Sequence, residues 1–130
     1  MEEIKVGEYV RTKYGYIAKI TEIDNYIWFN QKINKESGMA VYELSKVEFE
    51  NLVVNHSPNI IDLIEEGDYV NGDKIVAIDY TEDEDGNYKN VLGIMEIEDD
   101  YAYPIELRVL NIKTIVTKEQ YAAIEYKVEE

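Results

Sequence analysis

The chain has 130 residues, 45% of them hydrophobic, and sets 28 Asp and Glu against 13 Lys and Arg for a formal charge of −15, with no Cys and a single His. That apolar content supports a packed core in one ordinary domain or two very small modules, which excludes a disordered chain. The absence of Cys excludes disulfides, thiolate nucleophiles and Cys-type zinc sites, the lone His56 argues against an all-protein zinc centre, and no metal or cofactor is expected.

Met1-Glu2-Glu3-Ile4-Lys5 lacks the basic and apolar segments of a secretory signal, and no window has the apolar length to cross a bilayer, so a cytoplasmic protein is expected. Ile4, Val6, Tyr9 and Val10 open a strand, which turns around Lys13-Tyr14-Gly15 into a second running Tyr16 to Ile23. Asp24-Asn25 separates it from Tyr26-Ile27-Trp28-Phe29, with Trp28 expected in the core. A polar loop over 30–38 precedes a strand from Met39 to Leu44, and the alternation in Ser45-Lys46-Val47-Glu48-Phe49 predicts another that closes the sheet. Four or five short strands in so few residues predict an SH3-like small β-barrel over residues 1–54.

Residues 55–66 read as a linking helix. Ser57 suits the N-cap, Pro58 the first helical position, Ile60, Ile61, Leu63 and Ile64 an apolar stripe, and Gly67 the end. Residues 67–130 read as a second barrel-like module. Glu66-Gly67-Asp68-Tyr69-Val70 echoes Val6-Gly7-Glu8-Tyr9-Val10, and Ile75 and Ile78 take the places of Ile17 and Ile20 after a shorter loop. Strands from Lys74 to Tyr80 and from Tyr88 to Ile97 flank an Asp85-Gly86-Asn87 turn. Further strands are expected at Ile105–Leu110 and Ile112–Val116, then a short helix capped by Thr117-Lys118-Glu119-Gln120 and reaching Ile124, and an edge strand at Tyr126-Lys127-Val128. The fold class is mainly β with short helices.

The acidity belongs to the second half: residues 1–60 carry 7 Lys and Arg against 9 acids, giving −2, and residues 61–130 carry 6 against 19, giving −13. Such a field repels nucleic acid and anionic lipid and attracts a basic surface, including one that normally holds nucleic acid; it also simply keeps a protein dissolved. Two runs concentrate it. Glu82, Asp83, Glu84 and Asp85 do not make an EF-hand, because the register that puts Gly86 sixth puts Thr81 first and Leu92 twelfth. Glu96, Glu98, Asp99 and Asp100 stand beside Tyr101 and Tyr103, whose rings offer rigid contact area to a partner. Among the 12 Tyr, Tyr14 and Tyr16 lie near Arg11 and Lys13, the modest basic group that could meet the phosphate of a small nucleotide. No phosphate loop, nucleophile elbow or paired-His spacing is present, and no acid or Ser partner for His56 is legible from spacing, so the reading is non-enzymatic.

Two stretches, His56-Ser57-Pro58-Asn59-Ile60-Ile61-Asp62-Leu63-Ile64-Glu65-Glu66-Gly67-Asp68-Tyr69-Val70-Asn71-Gly72 and Ile112-Lys113-Thr114-Ile115-Val116-Thr117-Lys118-Glu119-Gln120-Tyr121, resemble small acidic accessory proteins of phages and prophages of Firmicutes. The resemblance implies a context of host-defence antagonism, including CRISPR inhibition and the sequestering of immune signalling nucleotides. The expectation is a protein of the host cytoplasm that places an acidic surface, Glu82 to Asp85 with Glu96 to Asp100 and Tyr101 and Tyr103, in the basic groove of a host defence protein. The alternatives are a nucleotide sponge using Arg11, Lys13, Tyr14 and Tyr16, and a homo-oligomeric assembly adaptor.

Overall fold

The computed structural model describes residues 3–81, 90–96, 102–106 and 111–124, and the chain divides into two compact units, Met1–Leu63 and Ile64–Glu130. The described residues are mainly β, with two antiparallel sheets and two short α-helices. The first unit holds β1 (Tyr9–Thr12), β2 (Ile17–Ile23), β3 (Tyr26–Asn34), β4 (Ala40–Ser45), α1 (Lys46–Leu52) and β5 (Val53–Ser57), then a short 3₁₀ helix at Ile60–Leu63. The second holds β6 (Tyr69–Val70), β7 (Asp73–Thr81), β8 (Asn90–Glu96), β9 (Ala102–Glu106), β10 (Ile115–Val116) and α2 (Lys118–Ile124).

Both sheets have the same connectivity: a four-strand meander whose first strand also pairs with the last. The orders are β4-β3-β2-β1-β5 and β10-β6-β7-β8-β9, and pairing among the described residues closes neither into a barrel. Alternation along β1 to β4 sends Val10, Ala18, Ile20, Ile27, Phe29, Ile33 and Leu44 into one cluster, joined from α1 by Phe49 and Leu52. The Phe29 and Phe49 rings stack there with centroids 6.4 Å apart and planes 5° apart. Fully burying a side chain of this size contributes about 1.5–3 kcal/mol, so this cluster is the main reason α1 stays folded against the sheet. Trp28, expected in the core, instead lies half-buried on the opposite face of β3 from its neighbours Ile27 and Phe29, its Nε1 donating to Asp24 Oδ1 at 3.1 Å.

The repeat is a structural device. Gly7 and Gly67 sit at φ 96° and 95°, a left-handed conformation open to Gly. Gly7 donates to the Ile20 carbonyl at 2.9 Å and Ile20 donates back to the Glu8 carbonyl at 2.8 Å; Gly67 and Ile75 repeat this at 2.7 Å, with Ile75 donating to Asp68 at 2.8 Å. Ile75 is therefore the counterpart of Ile20, not of Ile17. From Gly7 to Ile20 is 13 positions and from Gly67 to Ile75 is 8, so the second hairpin is 5 residues shorter.

Three further local expectations are overturned. Ser45–Phe49 is not a closing strand: Ser45 and Glu48 form a reciprocal capping box, Glu48 N–H to Ser45 Oγ at 3.1 Å and Ser45 N–H to Glu48 Oε1 at 3.0 Å, and a helix follows. The loop expected over 30–38 is strand as far as Asn34, interrupted by a bulge between Trp28 and Ile33. On the opposite edge of β3, past the Ile20–Phe29 pair, side chains reach the β2 backbone, Asn30 Oδ1 accepting from Lys19 N–H at 2.9 Å and Gln31 Nε2 donating to the Ile17 carbonyl. The linking helix at 55–66 is absent because β1 claims its first residues, Val10 pairing with His56 and Tyr9 with Ser57. Ser57 Oγ and Asn59 Oδ1 then accept from the Asn59 and Ile61 N–H groups at 3.1 and 3.2 Å, leaving room for one 3₁₀ turn. The acidic turn at 82–89, residues 107–110 and the edge strand at 126–128 lie outside the described residues.

Candidate functional site: a cleft between a hairpin turn and α1

Two turns of the first unit share one construction. In Thr12-Lys13-Tyr14-Gly15-Tyr16, Thr12 N–H donates to the Tyr16 carbonyl and Gly15 N–H to the Thr12 carbonyl, both at 2.9 Å; Lys35-Glu36-Ser37-Gly38-Met39 repeats both bonds at 2.9 Å. Gly15 and Gly38 supply the required positive φ, 86° and 88°. The turns meet through an ion pair between Lys13 and Glu36. Lys13 N–H also donates to the Leu52 carbonyl at 2.9 Å, tying the first turn to the end of α1, and Lys35 Nζ lies 2.8 Å from Glu48 Oε2, tying the second turn to its start.

Between the second turn, Leu44 of β4 and α1 lies a cleft of about 190 Å³. Leu44 and Leu52, both buried, form its floor; Lys35, Ser37, Glu48 and Asn51 form its polar rim with Glu36. The Lys13 ammonium that pairs with Glu36 also lies 5.5 Å from the centroid of the exposed Tyr14 ring. The Glu36 carboxylate, hydrogen-bonded to Lys13, raises that ammonium above its ordinary pKa. Hydrogen bonds from Lys35 and from the Ser45 backbone hold the Glu48 carboxyl below its ordinary value. The arrangement can receive a small apolar group and exchange partners at two charged edges. It contains no nucleophile paired with a base.

Of the residues expected to hold a phosphate, none lines this cleft; Lys13 reaches its rim through Glu36, and Tyr14 is linked to it only through Lys13. Arg11 is closed to solvent; its Nη1 donates to the Leu63 carbonyl at 2.8 Å, so the guanidinium fastens the 3₁₀ turn to β1. Tyr16 packs partly buried against the core. Lys35, Ser37, Glu48, Asn51, Leu44 and Leu52 were missed as site residues. The repeated Gly-containing turns and the Ser45-to-Glu48 spacing were the signals that could have found them.

His56 has a partner that spacing did not reveal: its Nδ1 lies 3.2 Å from Glu8 Oε1, both side chains being largely buried. The pair stands apart from the residues lining the cleft, and no group of three His, Asp or Glu able to hold a metal occurs among the described residues.

Glu82, Asp83, Glu84, Asp85, Glu98, Asp99, Asp100 and Tyr101 lie outside the described residues. Glu96 ends β8, opposite Lys74 of β7 and Ala102 of β9, and Tyr103 lies opposite Met95. Because β7, β8 and β9 form a meander, the chain leaves β7 after Thr81 and leaves β8 after Glu96 at opposite ends of β8. Those departure points are about 20 Å apart for a strand of this length. Counted by unit, residues 1–63 carry 7 Lys and Arg against 10 acids, giving −3, and residues 64–130 carry 6 against 18, giving −12. No helix among the described residues is long and apolar enough to cross a membrane. Comparison of the chain with protein-family models, with curated proteins and with solved structures finds no match.

Proposed function

We propose that this chain is a non-enzymatic binding protein of phage type, built from two SH3-like modules, whose acidic second module occupies a basic, nucleic-acid-binding surface of a host defence effector. The observation that carries the reading is the charge difference between the units, −3 against −12. A field that uneven steers the chain toward a positive partner in one orientation and away from nucleic acid itself. Strand order supports the module assignment, since a meander whose first strand also pairs with its last is the pattern of a small SH3-like barrel.

Glu82, Asp83, Glu84 and Asp85 serve as one cluster of phosphate substitutes, and Glu96, Glu98, Asp99 and Asp100 as a second, with Tyr101 and Tyr103 supplying contact area. Their departure from opposite ends of β8 makes the contact a two-point one, matching two separated basic patches. The burial of Arg11 and the engagement of Lys13 by Glu36 give no support to a nucleotide sponge. The test is capture of partners from a bacterial host lysate at low and high salt, with the parent and with a variant in which residues 82–85 are changed to Lys. The parent should capture a basic protein at low salt and release it at high salt, and the variant should associate at least about tenfold more slowly. Equal capture by both sinks the reading.

A further inference from the structure

We infer that the cleft between the second hairpin turn, β4 and α1 is a docking pocket for one aliphatic side chain of a partner segment, flanked in that segment by arginine. The inference rests on the proposed basic partner and adds a further point of attachment, on the first unit.

Size sets the first limit. At about 190 Å³ the cleft is smaller than the roughly 300–1,000 Å³ of sites that enclose a drug-sized ligand or cofactor, and it suits a single side chain. Its floor is the aliphatic pair Leu44 and Leu52, with relative exposures of 0% and 2%. A polar group pushed onto that floor would lose its hydration, which selects an apolar occupant.

The rim sets the second. Its carboxylates, Glu36 and Glu48, are each held by a lysine ammonium, and in both pairs the side chains remain 30–58% exposed, so incoming groups can reach them. An ammonium is a point charge, whereas a guanidinium presents a planar fork that engages a carboxylate through two parallel hydrogen bonds. An arriving arginine can therefore replace Lys35 on Glu48 or Lys13 on Glu36 with a better-matched partner. The Tyr14 ring, already facing a cation at 5.5 Å, offers the flat surface on which a guanidinium stacks. An acidic segment could reach Lys13 and Lys35 only by opening the same ion pairs, and against a unit of net charge −3. Charge complementarity thus favours the basic occupant.

The probe is a capped, fluorescein-labelled peptide, Gly-Arg-Leu-Arg-Gly, titrated into the full chain and followed by polarisation and by amide chemical shifts. Shifts confined to residues 13–14, 35–37, 44 and 48–52 are expected. Replacing the peptide's Leu by Ala, or introducing Ser37→Trp to fill the mouth of the cleft, should each weaken binding about tenfold. Should Ser37→Trp disturb the fold, the pair Glu36→Gln and Glu48→Gln provides the second route: it should remove the preference for Arg over Glu flanks and leave the dependence on Leu. Binding that is indifferent to the peptide's Leu, that tolerates Glu flanks equally in the parent, or that perturbs residues elsewhere overturns the inference. If lysate capture depends on residues 82–85 and ignores Ser37→Trp, the cleft inference fails alone. If the peptide binds in the cleft while no basic protein is captured, the proposed function fails alone.

Discussion

The Asp68 carboxylate, fully buried, accepts a 2.9 Å hydrogen bond from the backbone N–H of Lys118, so the lead-in to β6 and the first turn of α2 are one construction. Its other oxygen accepts from Glu65 N–H at 2.8 Å. In the first unit Glu8 keeps half of this pattern: Oε2 accepts from Lys5 N–H at 2.6 Å, while Oε1 faces His56. Asp68→Ala would leave two backbone donors without their acceptor and should cost about 2–4 kcal/mol. Asp68→Asn keeps one acceptor oxygen and should cost less. Urea denaturation of the two variants checks the order; equal losses would mean that the space filled by the side chain, not its hydrogen bonding, matters.

Asn71 does two jobs that substitutions can separate. It sits at φ 51° in the two-residue turn between Val70 and Asp73, and its side chain holds the segment before β10: Oδ1 accepts from Lys113 and Thr114 N–H at 2.8 and 3.1 Å, and Nδ2 donates to the Asn111 carbonyl at 2.9 Å. Asn71→Gly retains the conformation and loses the clamp; Asn71→Ala loses both. We expect losses of about 1–2 kcal/mol for Gly and about 1 kcal/mol more for Ala. Thermal unfolding of both variants reads the difference, and a Gly variant as unstable as Ala would remove the conformational contribution.

Arg11 is the clearest case of a charged residue whose place in the sequence misleads about its task. Removing a fully buried cation strands the groups that it satisfies, here including the Leu63 carbonyl, so Arg11→Ala should cost about 3 kcal/mol or more. Arg11→Lys should recover part of that, because one ammonium reaches fewer acceptors than a fork. Chemical denaturation decides it: an Arg11→Ala chain as stable as the parent would show that the guanidinium is not fastening the 3₁₀ turn.

What the sequence made legible follows from range. The Gly-Tyr-Val repeat, the strand alternation in Ile17–Ile23 and the Thr117 cap are signals carried by near neighbours, and each corresponds to a described element. Residues 45–49 carried two local signals at once, a period-two alternation and a capping box. The box won, because Phe49 and Leu52, three apart on a helix, bury together, whereas Val47 stays 68% exposed. Residues 55–57 were decided by their pairing with β1, nearly fifty positions away, which no helix-start signal could register. The cleft was invisible for the same reason: its walls come from a turn, a strand and a helix that meet only after the meander has formed.

The ion pair between Lys35 and Glu48 should leave a signature in the acid limb of stability. The Glu48 carboxyl is held below its ordinary value, chiefly by the hydrogen bond from Lys35 and then by the Ser45 backbone. A carboxyl with a lower pKa in the folded than in the unfolded chain makes unfolding take up a proton, so its contribution is complete above about 4.5 and is lost as pH falls through the folded value. Lys13, raised by Glu36, behaves oppositely: its contribution is complete below 10.5 and is lost as pH rises through the folded value. Solvent screens both pairs, and for Glu48 the effect should stay under about 1 kcal/mol and shrink with added salt. Glu48→Gln isolates it, since Gln can still accept from Ser45 N–H within the capping box while losing the charge. Parent and variant should differ at about pH 7 and converge toward about pH 3. A gap that persists unchanged in acid would assign the loss to capping geometry and leave the ion pair without a measurable share.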